Sequence, residues 1–205
     1  MGLIGAQMRH YYDRRAREYD DWWLGTGLFA ARERPGWDQE VRELVAVLER
    51  LSPARVLDVA CGTGFLTRHL RGEVTALDQS PEMVAIATAR LPSARVLVGD
   101  ATALPFADGS FDRVVTGHFY GHLLAGEREA FLAQAHRVAR ELVVVDSALG
   151  EGVAPEQWQE RSLEDGSIHR VYKRYFRGGE LAEELGGGSV EHDGRWFVAV
   201  VAGTL

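Results

Sequence analysis

The 205-residue sequence predicts one α/β domain built on a doubly wound sheet of seven strands, mostly parallel with an antiparallel last strand. Three observations lead to this fold class. Short apolar runs of the kind found in buried parallel strands alternate with amphipathic stretches. A glycine turn follows the first run, as in open sheets that bind ligands at the carboxyl ends of their strands. A hairpin signal near the end of the chain adds two further strands, the last of them antiparallel.

Helical character dominates the first quarter of the chain, where Trp37–Leu51 carries apolar residues at helical spacing and is closed by Ser52-Pro53. Five apolar runs then predict the parallel strands, at Arg55–Val59, Val74–Asp78, Arg95–Gly99, Phe111–Thr116 and Glu141–Asp146. The stretches between these runs predict helices at Gly64–Leu70, Pro81–Arg90 and Glu127–Arg137. The second of these helices has Ser80 as its N-cap and Pro81 at its first position.

The last part of the chain predicts a short helix at Gly178–Leu185, which ends at a run of glycines. Val190–His192 and Arg195–Val201 then flank Asp193-Gly194, a dipeptide typical of two-residue hairpin turns.

Composition narrows the possible function classes. The chain is 46% hydrophobic and 26% charged, as in soluble globular proteins, and its apolar runs are too short to cross a membrane. One cysteine and no signal-peptide pattern favour a cytoplasmic location. The net charge of −7 argues against a nucleic-acid partner. Arginine accounts for 22 of the 23 basic residues and asparagine is absent, which we interpret as the codon bias of a GC-rich bacterium.

The most informative stretch is 56–67, in which a predicted strand leads into Gly62-Thr63-Gly64 and then into a predicted helix. Glycines let the backbone approach a ligand, and a helix N-terminus supplies free N–H groups. Asp58 lies within the first strand, Asp78 closes the second and Asp100 follows the third. Because neighbouring parallel strands end at one edge of a sheet, we expect these acids to line a ligand crevice there.

Two other interpretations of this stretch remain open. The glycines alone are compatible with a tight strand–helix turn that binds nothing. A nicotinamide-dependent oxidoreductase is also possible, since Asp78 could hold a ribose diol. The dinucleotide fingerprint, however, has a third glycine where this chain has Thr67, and it has no acid at the Asp58 position. An acid there favours a cationic ligand, such as an ammonium or a sulfonium group.

These segments resemble the class I S-adenosylmethionine-dependent methyltransferases, in the small-molecule (type 11) group that includes ubiquinone, menaquinone and malonyl-carrier-protein methyltransferases. The matching segments are VLDVACGTG at 56–64, VTALDQSPEMV at 74–84 and VGDATALPFADGSFDRVV at 98–115. The resemblance covers about residues 8–147 by motif and the closing hairpin by topology. It implies a Rossmann-like fold and methyl transfer from S-adenosylmethionine to a small-molecule acceptor through an O, C or N nucleophile, with S-adenosylhomocysteine as the product.

The resemblance also implies roles for individual residues around the cofactor. Asp58 and the backbone of Ala60, Gly62 and Gly64 would surround its methionine moiety. Asp78 would accept from both ribose hydroxyls, and Asp100 from the adenine amino group. The other implied contacts are Gln79, Met83 and Ala101 beside the adenine, Thr116 and Gly117 near the methyl group, and Tyr12 and Tyr19 in an N-terminal lid. Packing of the two tyrosine rings on the sheet is the alternative.

The expected division of the chain follows from these segments. We expect 1–205 to form a single domain, with an N-terminal helical lid at 1–53 and a cofactor-binding core at 54–147. A substrate-capping segment at 148–178 and a closing helix and hairpin at 179–205 complete it. Within the lid, Trp22, Trp23 and Phe29 are expected either to line an apolar substrate mouth or to pack in the core.

Candidate catalytic and acceptor-binding residues follow the fourth and fifth strands. Methyl transfer from a sulfonium depends mainly on positioning, and a general base is needed only when the nucleophile carries a proton. His118 and His122 are the candidate bases, with structural roles as the alternative. The candidate acceptor-binding residues are Tyr120, Tyr172, Lys173 and Arg174. The last three belong to a basic and aromatic segment that could neutralise a carboxylate or phosphate, or else form a solvated face.

Several partners are not expected. A metal-dependent catechol type would have an acid where this chain has Gly117 and an Asp-Asn pair where it has Asp146-Ser147, and no Cys/His spacing indicates zinc. We therefore expect no metal, no nucleic acid and no stable membrane insertion, and a small-molecule acceptor as the partner. The alternative function is a protein that binds S-adenosylmethionine or its product without transferring the methyl group. The acceptor and the oligomeric state are not determined by the sequence.

Overall fold

The computed structural model describes residues 3–203, which form a seven-stranded sheet between helices and a separate two-stranded hairpin. The five parallel strands are β1 (Ala54–Val59), β2 (Gly72–Asp78), β3 (Arg95–Val98), β4 (Arg113–Gly117) and β5 (Glu141–Ser147). Two further strands, β8 (Ser189–Asp193) and β9 (Phe197–Gly203), complete the sheet. The strand order is β3-β2-β1-β4-β5-β9-β8.

The closing hairpin joins the sheet as the sequence predicts. Strand β9 pairs antiparallel with β5, with Val144 opposite Val200, and β8 pairs antiparallel with β9. The fold class is therefore confirmed, including the antiparallel last strand. The valines of β5 are completely buried because Val144 packs in the core on one face of the sheet and Val143 and Val145 pack in the core on the other.

The sheet is covered on both faces. Successive strand residues point to opposite sides, so each face carries its own apolar side chains for packing. On one face, Leu57 and Val59 pack with α5 (Ala125–Val138) and α6 (Gly178–Glu184). On the other face, Val56 packs with α3 (Trp37–Arg50) and with a group of aromatic rings from the N-terminal region. The remaining helices are α1 (Leu3–Arg15), the short α2 (Asp21–Leu24) and α4 (Pro81–Arg90).

The predicted helix at Gly64–Leu70 is wrong. Only a single 3-10 turn, Thr67–His69, forms there. The bonds that form run from Leu70 N to Thr67 O and from His69 N to Leu66 O, and this three-residue spacing closes a 3-10 turn rather than an α-helix. Strand β2 begins soon afterwards at Gly72, so no length remains for a longer helix.

A second hairpin, β6 (Glu156–Ser162) and β7 (Ile168–Arg174), is absent from the sequence prediction. Its strands carry mostly charged and polar side chains, so the apolar pattern that indicates a strand is weak. The hairpin is attached to the sheet by packing and by side chains such as Lys173 rather than by strand pairing. Among the described residues, no helix is long and apolar enough to cross a membrane.

Candidate functional site

A cavity of about 340 Å³ opens where β1, β2 and β4 end, beside the N-terminal helical segment. Its lining brings together residues that are far apart in the sequence. Ten of the thirteen predicted cofactor-binding residues line it: Tyr12, Tyr19, Ala60, Gly62, Asp78, Gln79, Met83, Asp100, Ala101 and Gly117. Both candidate bases, His118 and His122, line it as well. The strand ends therefore meet at one crevice, as the sequence predicts.

Asp78 organises the glycine turn. Its Oδ2 accepts from Gly62 N at 2.9 Å, and its Oδ1 accepts from Ser80 N at 2.9 Å. Burial raises the pKa of Asp78 to about 6, although these backbone N–H groups oppose the shift. A carboxylate held in this way at the end of β2 has oxygen lone pairs left for hydroxyl donors in the cavity.

Three predicted cofactor residues lie outside the cavity lining. Asp58 is buried and accepts from Thr67 Oγ1 at 2.5 Å, and burial raises its pKa to about 7. Thr116 donates its hydroxyl to Val59 O at 2.8 Å and so ties β4 to the end of β1. Gly64 faces Leu91, whose side chain would lie 2.9 Å from an added Cβ. These three residues therefore support the glycine turn on the side away from the cavity.

The turn depends on backbone conformations that most residues avoid. Gly62 has φ +55°, and Ala60, which has a side chain, has φ +59°. An added Cβ on Gly62 would lie 3.3 Å from the ring of Tyr19. The glycine therefore lets the N-terminal segment lie closely over the turn. Such left-handed non-glycine residues cluster at binding sites, where the surrounding structure holds them in place.

The N-terminal segment is fastened to the cavity by polar contacts. Ser80 Oγ donates to Asp13 Oδ1 at 2.5 Å. Asp20 accepts from Thr63 Oγ1 and pairs with Arg90 at 2.5 Å, which joins the segment to both the turn and α4. Burial raises the pKa of Tyr19 and of Tyr12 above their ordinary values, so both phenols stay protonated at neutral pH.

His118 is enclosed by aromatic rings. It follows β4 with φ +54°, and its ring lies edge-on to those of Trp22 and Trp23, with centroids 4.6 and 4.9 Å away. Its Nδ1 lies 3.4 Å from Ser147 Oγ, whereas Nε2 is buried with no hydrogen-bond partner among the described residues. Burial lowers the pKa of His118 to about 3. Trp22 and Trp23 thus pack around this ring rather than lining the cavity.

His122 differs from His118 because one ring nitrogen remains available. Its Nδ1 lies 2.6 Å from Tyr172 O. A carbonyl oxygen only accepts, so Nδ1 carries the proton and Nε2 keeps its lone pair. Within the described part of the chain, Nε2 makes no hydrogen bond, and it is not among the fully enclosed polar atoms. Burial lowers the pKa of His122 well below its ordinary value, so the ring is neutral.

The four predicted acceptor-binding residues are placed away from the cavity lining. Tyr120 donates to Glu184 at 2.9 Å, and Tyr172 donates to Glu156 at 2.8 Å. Arg174 pairs with Glu184 at 2.7 Å, and Lys173 pairs with Asp146. Each polar group is thus satisfied by a carboxylate of this chain. A role of these four residues in binding the acceptor stays a prediction.

Lys173 and Asp146 form a fully buried ion pair between β7 and β5. The carboxylate also accepts from Gly121 N at 2.8 Å and from Ser147 N at 2.7 Å. Burial alone would raise the pKa of Asp146, but the Lys173 ammonium holds it below its ordinary value. An added Cβ on Gly121 would lie 2.5 Å from Arg174 O, so this glycine admits the hairpin to the sheet.

Sequence reasoning missed several residues that line the cavity, namely Met8, Leu77, Gly99, Thr102, Phe119, Leu123, Gly126, Glu127 and Ala130. Thr102 could have been found, because its N–H and hydroxyl both bond Asp100 Oδ1, at 2.8 and 2.7 Å, in a pattern typical of a turn after an aspartate. Glu127 is charged, and its Oε2 accepts from Leu124 N at 2.9 Å. The rest are apolar or small residues whose position depends on packing. Within residues 3–203, no group of three or more metal-ligating side chains is found.

Comparisons with known proteins identify a family and similar solved structures. A family model described as "Methyltransferase domain" matches residues 57–143. The solved DhpI-SAM-HEP complex is 30% identical, with a TM-score of 0.77 and 98% coverage of both chains. A DhpI-SAH complex is 28% identical, with a TM-score of 0.78 and coverage of 98% of this chain and 96% of that one.

Two curated bacterial proteins are similar over part of their length. A demethylmenaquinone methyltransferase of Thermotoga maritima is 34% identical over 134 residues, which are 63% of this chain and 55% of that protein. A malonyl-[acyl-carrier protein] O-methyltransferase of Pseudescherichia vulneris is 34% identical over 150 residues, 69% of this chain and 57% of that protein. The chain thus spans little more than half the length of these curated relatives.

Proposed function

This chain belongs to the class I S-adenosylmethionine-dependent methyltransferases, and we propose that it transfers the methyl group of S-adenosylmethionine to a small-molecule acceptor. The observation that carries the proposal is the single cavity that joins the glycine turn, Asp78 and Asp100 to the ring of His122. One end of this cavity suits a nucleoside, and the other end holds a neutral imidazole. The alternative function, a nicotinamide-dependent oxidoreductase, is not consistent with membership of this methyltransferase family.

The residues present fit the cofactor that the family implies. Asp78 and Asp100 carry carboxylate oxygens that can accept from ribose hydroxyls and an adenine amino group. Leu77 and Met83 offer apolar contacts beside them. Gly62 also lines the cavity, and Tyr19 packs over it where a side chain would otherwise lie. Asp58, with its pKa raised to about 7, adds negative charge behind the turn when it is ionised, which favours a cationic ligand.

Bound S-adenosylmethionine supplies a methyl group activated by a sulfonium. The protein then has to position an acceptor, exclude water and remove a proton where the nucleophile carries one. We assign removal of this proton to His122, because its Nε2 keeps a lone pair while Tyr172 O holds the ring in place through Nδ1. His118 is assigned a supporting role, because its Nε2 is enclosed by protein.

Two measurements test this proposal. Calorimetric titration should show saturable binding of S-adenosylhomocysteine and none of NADH. A panel of small hydroxyl, amine and acid compounds should then contain an acceptor that takes up label from methyl-labelled S-adenosylmethionine. Failure to bind S-adenosylhomocysteine would refute the cofactor assignment. Tight binding with no transfer to any member of a broad panel would instead support a protein that binds the cofactor without turnover.

A further inference from the structure

The ring of His122 is held by a backbone carbonyl of the β6–β7 hairpin. His122 ends the 3-10 turn Tyr120–His122, which follows β4, and its Nδ1 lies 2.6 Å from Tyr172 O. The sheet of this hairpin has two strands, so one edge of β7 pairs with no strand of the described chain. Carbonyl groups on such an edge are available to side-chain donors. The orientation of the His122 ring therefore depends on where the hairpin lies.

The buried pair of Lys173 and Asp146 holds the hairpin next to this turn. Asp146 Oδ2 accepts from Gly121 N at 2.8 Å, and its Oδ1 pairs with Lys173 Nζ. Gly121 directly precedes His122 in the turn. Lys173 directly follows Tyr172 in β7. Both partners of the contact between His122 and Tyr172 O are thus next in sequence to residues that this ion pair fixes.

Close packing at Gly121 leaves the hairpin little room to shift. An added Cβ on this glycine would lie 2.5 Å from Arg174 O, 3.0 Å from Asp146 Oδ1 and 3.1 Å from Lys173 Nζ. The turn, the ion pair and the edge of β7 are therefore in direct contact. Both charged side chains are almost completely buried, so water cannot replace either partner and separating them is costly. The pair thus favours a single position of the hairpin.

The N-terminal helix α1 supports the same arrangement from another direction. Tyr11 of this helix forms a small apolar core with Leu163 and Val171 of the hairpin. The next residue, Tyr12, lies edge-on to the ring of His122, with ring centroids 6.4 Å apart. The His122 ring is therefore bounded by a carbonyl of the hairpin and by a phenol ring of α1. Both contacts depend on the docked position of the hairpin.

The tautomer of His122 decides whether its Nε2 can take up a proton. A neutral imidazole carries one N–H and one lone pair, and the hydrogen bond made by one nitrogen selects which of them keeps the lone pair. The carbonyl of Tyr172 selects the Nδ1–H form. A ring released from this carbonyl can place its proton on Nε2 instead, and it then has no lone pair there to accept a proton.

We propose that Lys173 and Asp146 are positioning residues for methyl transfer, because the hairpin that they dock holds His122 in the tautomer that accepts a proton at Nε2. The proposal rests on the proposed function and identifies what orients its base. Neither residue lines the cavity, and Lys173 Nζ is paired with the carboxylate. The pair therefore acts through Tyr172 O and the turn, and this role needs no contact with the acceptor.

The test measures the tautomer of His122 in the full chain. Proton–nitrogen correlation spectra of isotope-labelled histidine rings distinguish Nδ1–H from Nε2–H, and the signal that disappears in His122→Gln identifies this ring. We expect the wild type to show Nδ1–H and Lys173→Met to gain Nε2–H. The double variant Lys173→Met with Asp146→Asn leaves no unpaired charge, so it should regain stability without regaining the wild-type tautomer. A merely structural pair would recover both together.

The matched control is Arg170→Met, which changes an exposed arginine of β7 that lies over Trp158 and should leave the His122 tautomer unaltered. An Nε2–H ring in the wild type would overturn the proposal, because Tyr172 O would then not select the tautomer. The wild-type tautomer in the folded double variant would overturn it as well, because the ion pair would then not be needed.

Turnover gives a second readout once the acceptor panel contains a substrate. The double variant should lose about 100-fold in kcat with KM for that acceptor little changed, since a misplacement of about 1 Å can reduce a rate by that much. Wild-type kcat in this variant would also overturn the proposal. Failure of the wild type to bind S-adenosylhomocysteine would refute the proposed function, whereas the tautomer measurement requires neither cofactor nor acceptor.

Discussion

The carboxylate of Asp78 holds the glycine turn and also faces the cavity. Its oxygens hold Gly62 N and Ser80 N, and they also face the space assigned to the ribose. The structure therefore predicts that Asp78→Ala weakens S-adenosylhomocysteine binding at least tenfold. Hydrogen bonds to a charged acceptor contribute about 1.5–3 kcal/mol, and tenfold is about 1.4 kcal/mol.

Calorimetry measures this affinity, and thermal unfolding of the free variant serves as its control. A folded Asp78→Ala variant with wild-type affinity would show that the cofactor does not use this carboxylate. Ser110→Ala, a change in an exposed turn that bonds only Ala107 O, is the matched variant expected to leave affinity unaltered.

The two histidines should respond differently to the same substitution. His122→Gln removes the free Nε2 of the cavity, so turnover of a hydroxyl acceptor should fall by roughly 100-fold or more, as when a general base is lost. His118→Gln instead disturbs the aromatic enclosure and should mainly lower the unfolding midpoint. Initial rates with labelled S-adenosylmethionine and urea unfolding separate these effects. Full turnover in His122→Gln would leave positioning alone as the source of catalysis.

The β6–β7 hairpin is attached to the sheet through the buried pair of Lys173 and Asp146. Lys173→Met should destabilise the protein by about 3–5 kcal/mol, because it leaves Asp146 charged and without its partner inside the protein. The double variant Lys173→Met with Asp146→Asn should recover most of this loss, since the amide is neutral and can still accept from Gly121 N.

Equilibrium urea unfolding of the two variants and the wild type measures these differences. Equal stability of Lys173→Met and wild type would mean that the pair contributes nothing to docking of the hairpin. A double variant no more stable than Lys173→Met would mean that the loss does not come from the unpaired carboxylate.

The pH dependence of stability depends on buried groups that act in opposite directions. Burial raises the pKa of Asp58 to about 7, against about 3.9 in an unfolded chain. Between these values the folded state retains a proton that the unfolded state releases, so this group reduces stability as pH rises. His118, with its pKa lowered to about 3, stays neutral in the folded state and reduces stability as pH falls below about 6.5.

A difference between variants isolates the Asp58 contribution. Relative to Asp58→Asn, which does not titrate, the wild type should gain stability on the order of 2–4 kcal/mol as pH is lowered from about 8 to about 4. Urea unfolding across this range measures the two curves. Parallel curves would mean that Asp58 has an ordinary pKa in the folded protein.

An element could be predicted from the sequence where local pattern determines it, and could not where it depends on residues far along the chain. Strands β1, β2 and β5 carry continuous apolar runs, and Asp193-Gly194 marks the closing turn, so local pattern alone locates them. The β6–β7 hairpin carries mostly charged and polar residues and is stabilised by distant partners, so the same reasoning fails there. The helix predicted after Gly64 fails because strand β2 begins at Gly72, which leaves length only for the 3-10 turn Thr67–His69.

The sequence by itself determined the sheet, the glycine turn and the acids at the strand ends, because each depends on residues that are neighbours along the chain. Only the tertiary structure decided which polar side chains remain free. It pairs Lys173 and Arg174 with carboxylates, encloses His118 and leaves His122, Arg15 and Arg161 without acidic partners among the described residues. Pairing and desolvation are set by groups far apart in sequence, and no local pattern reports them.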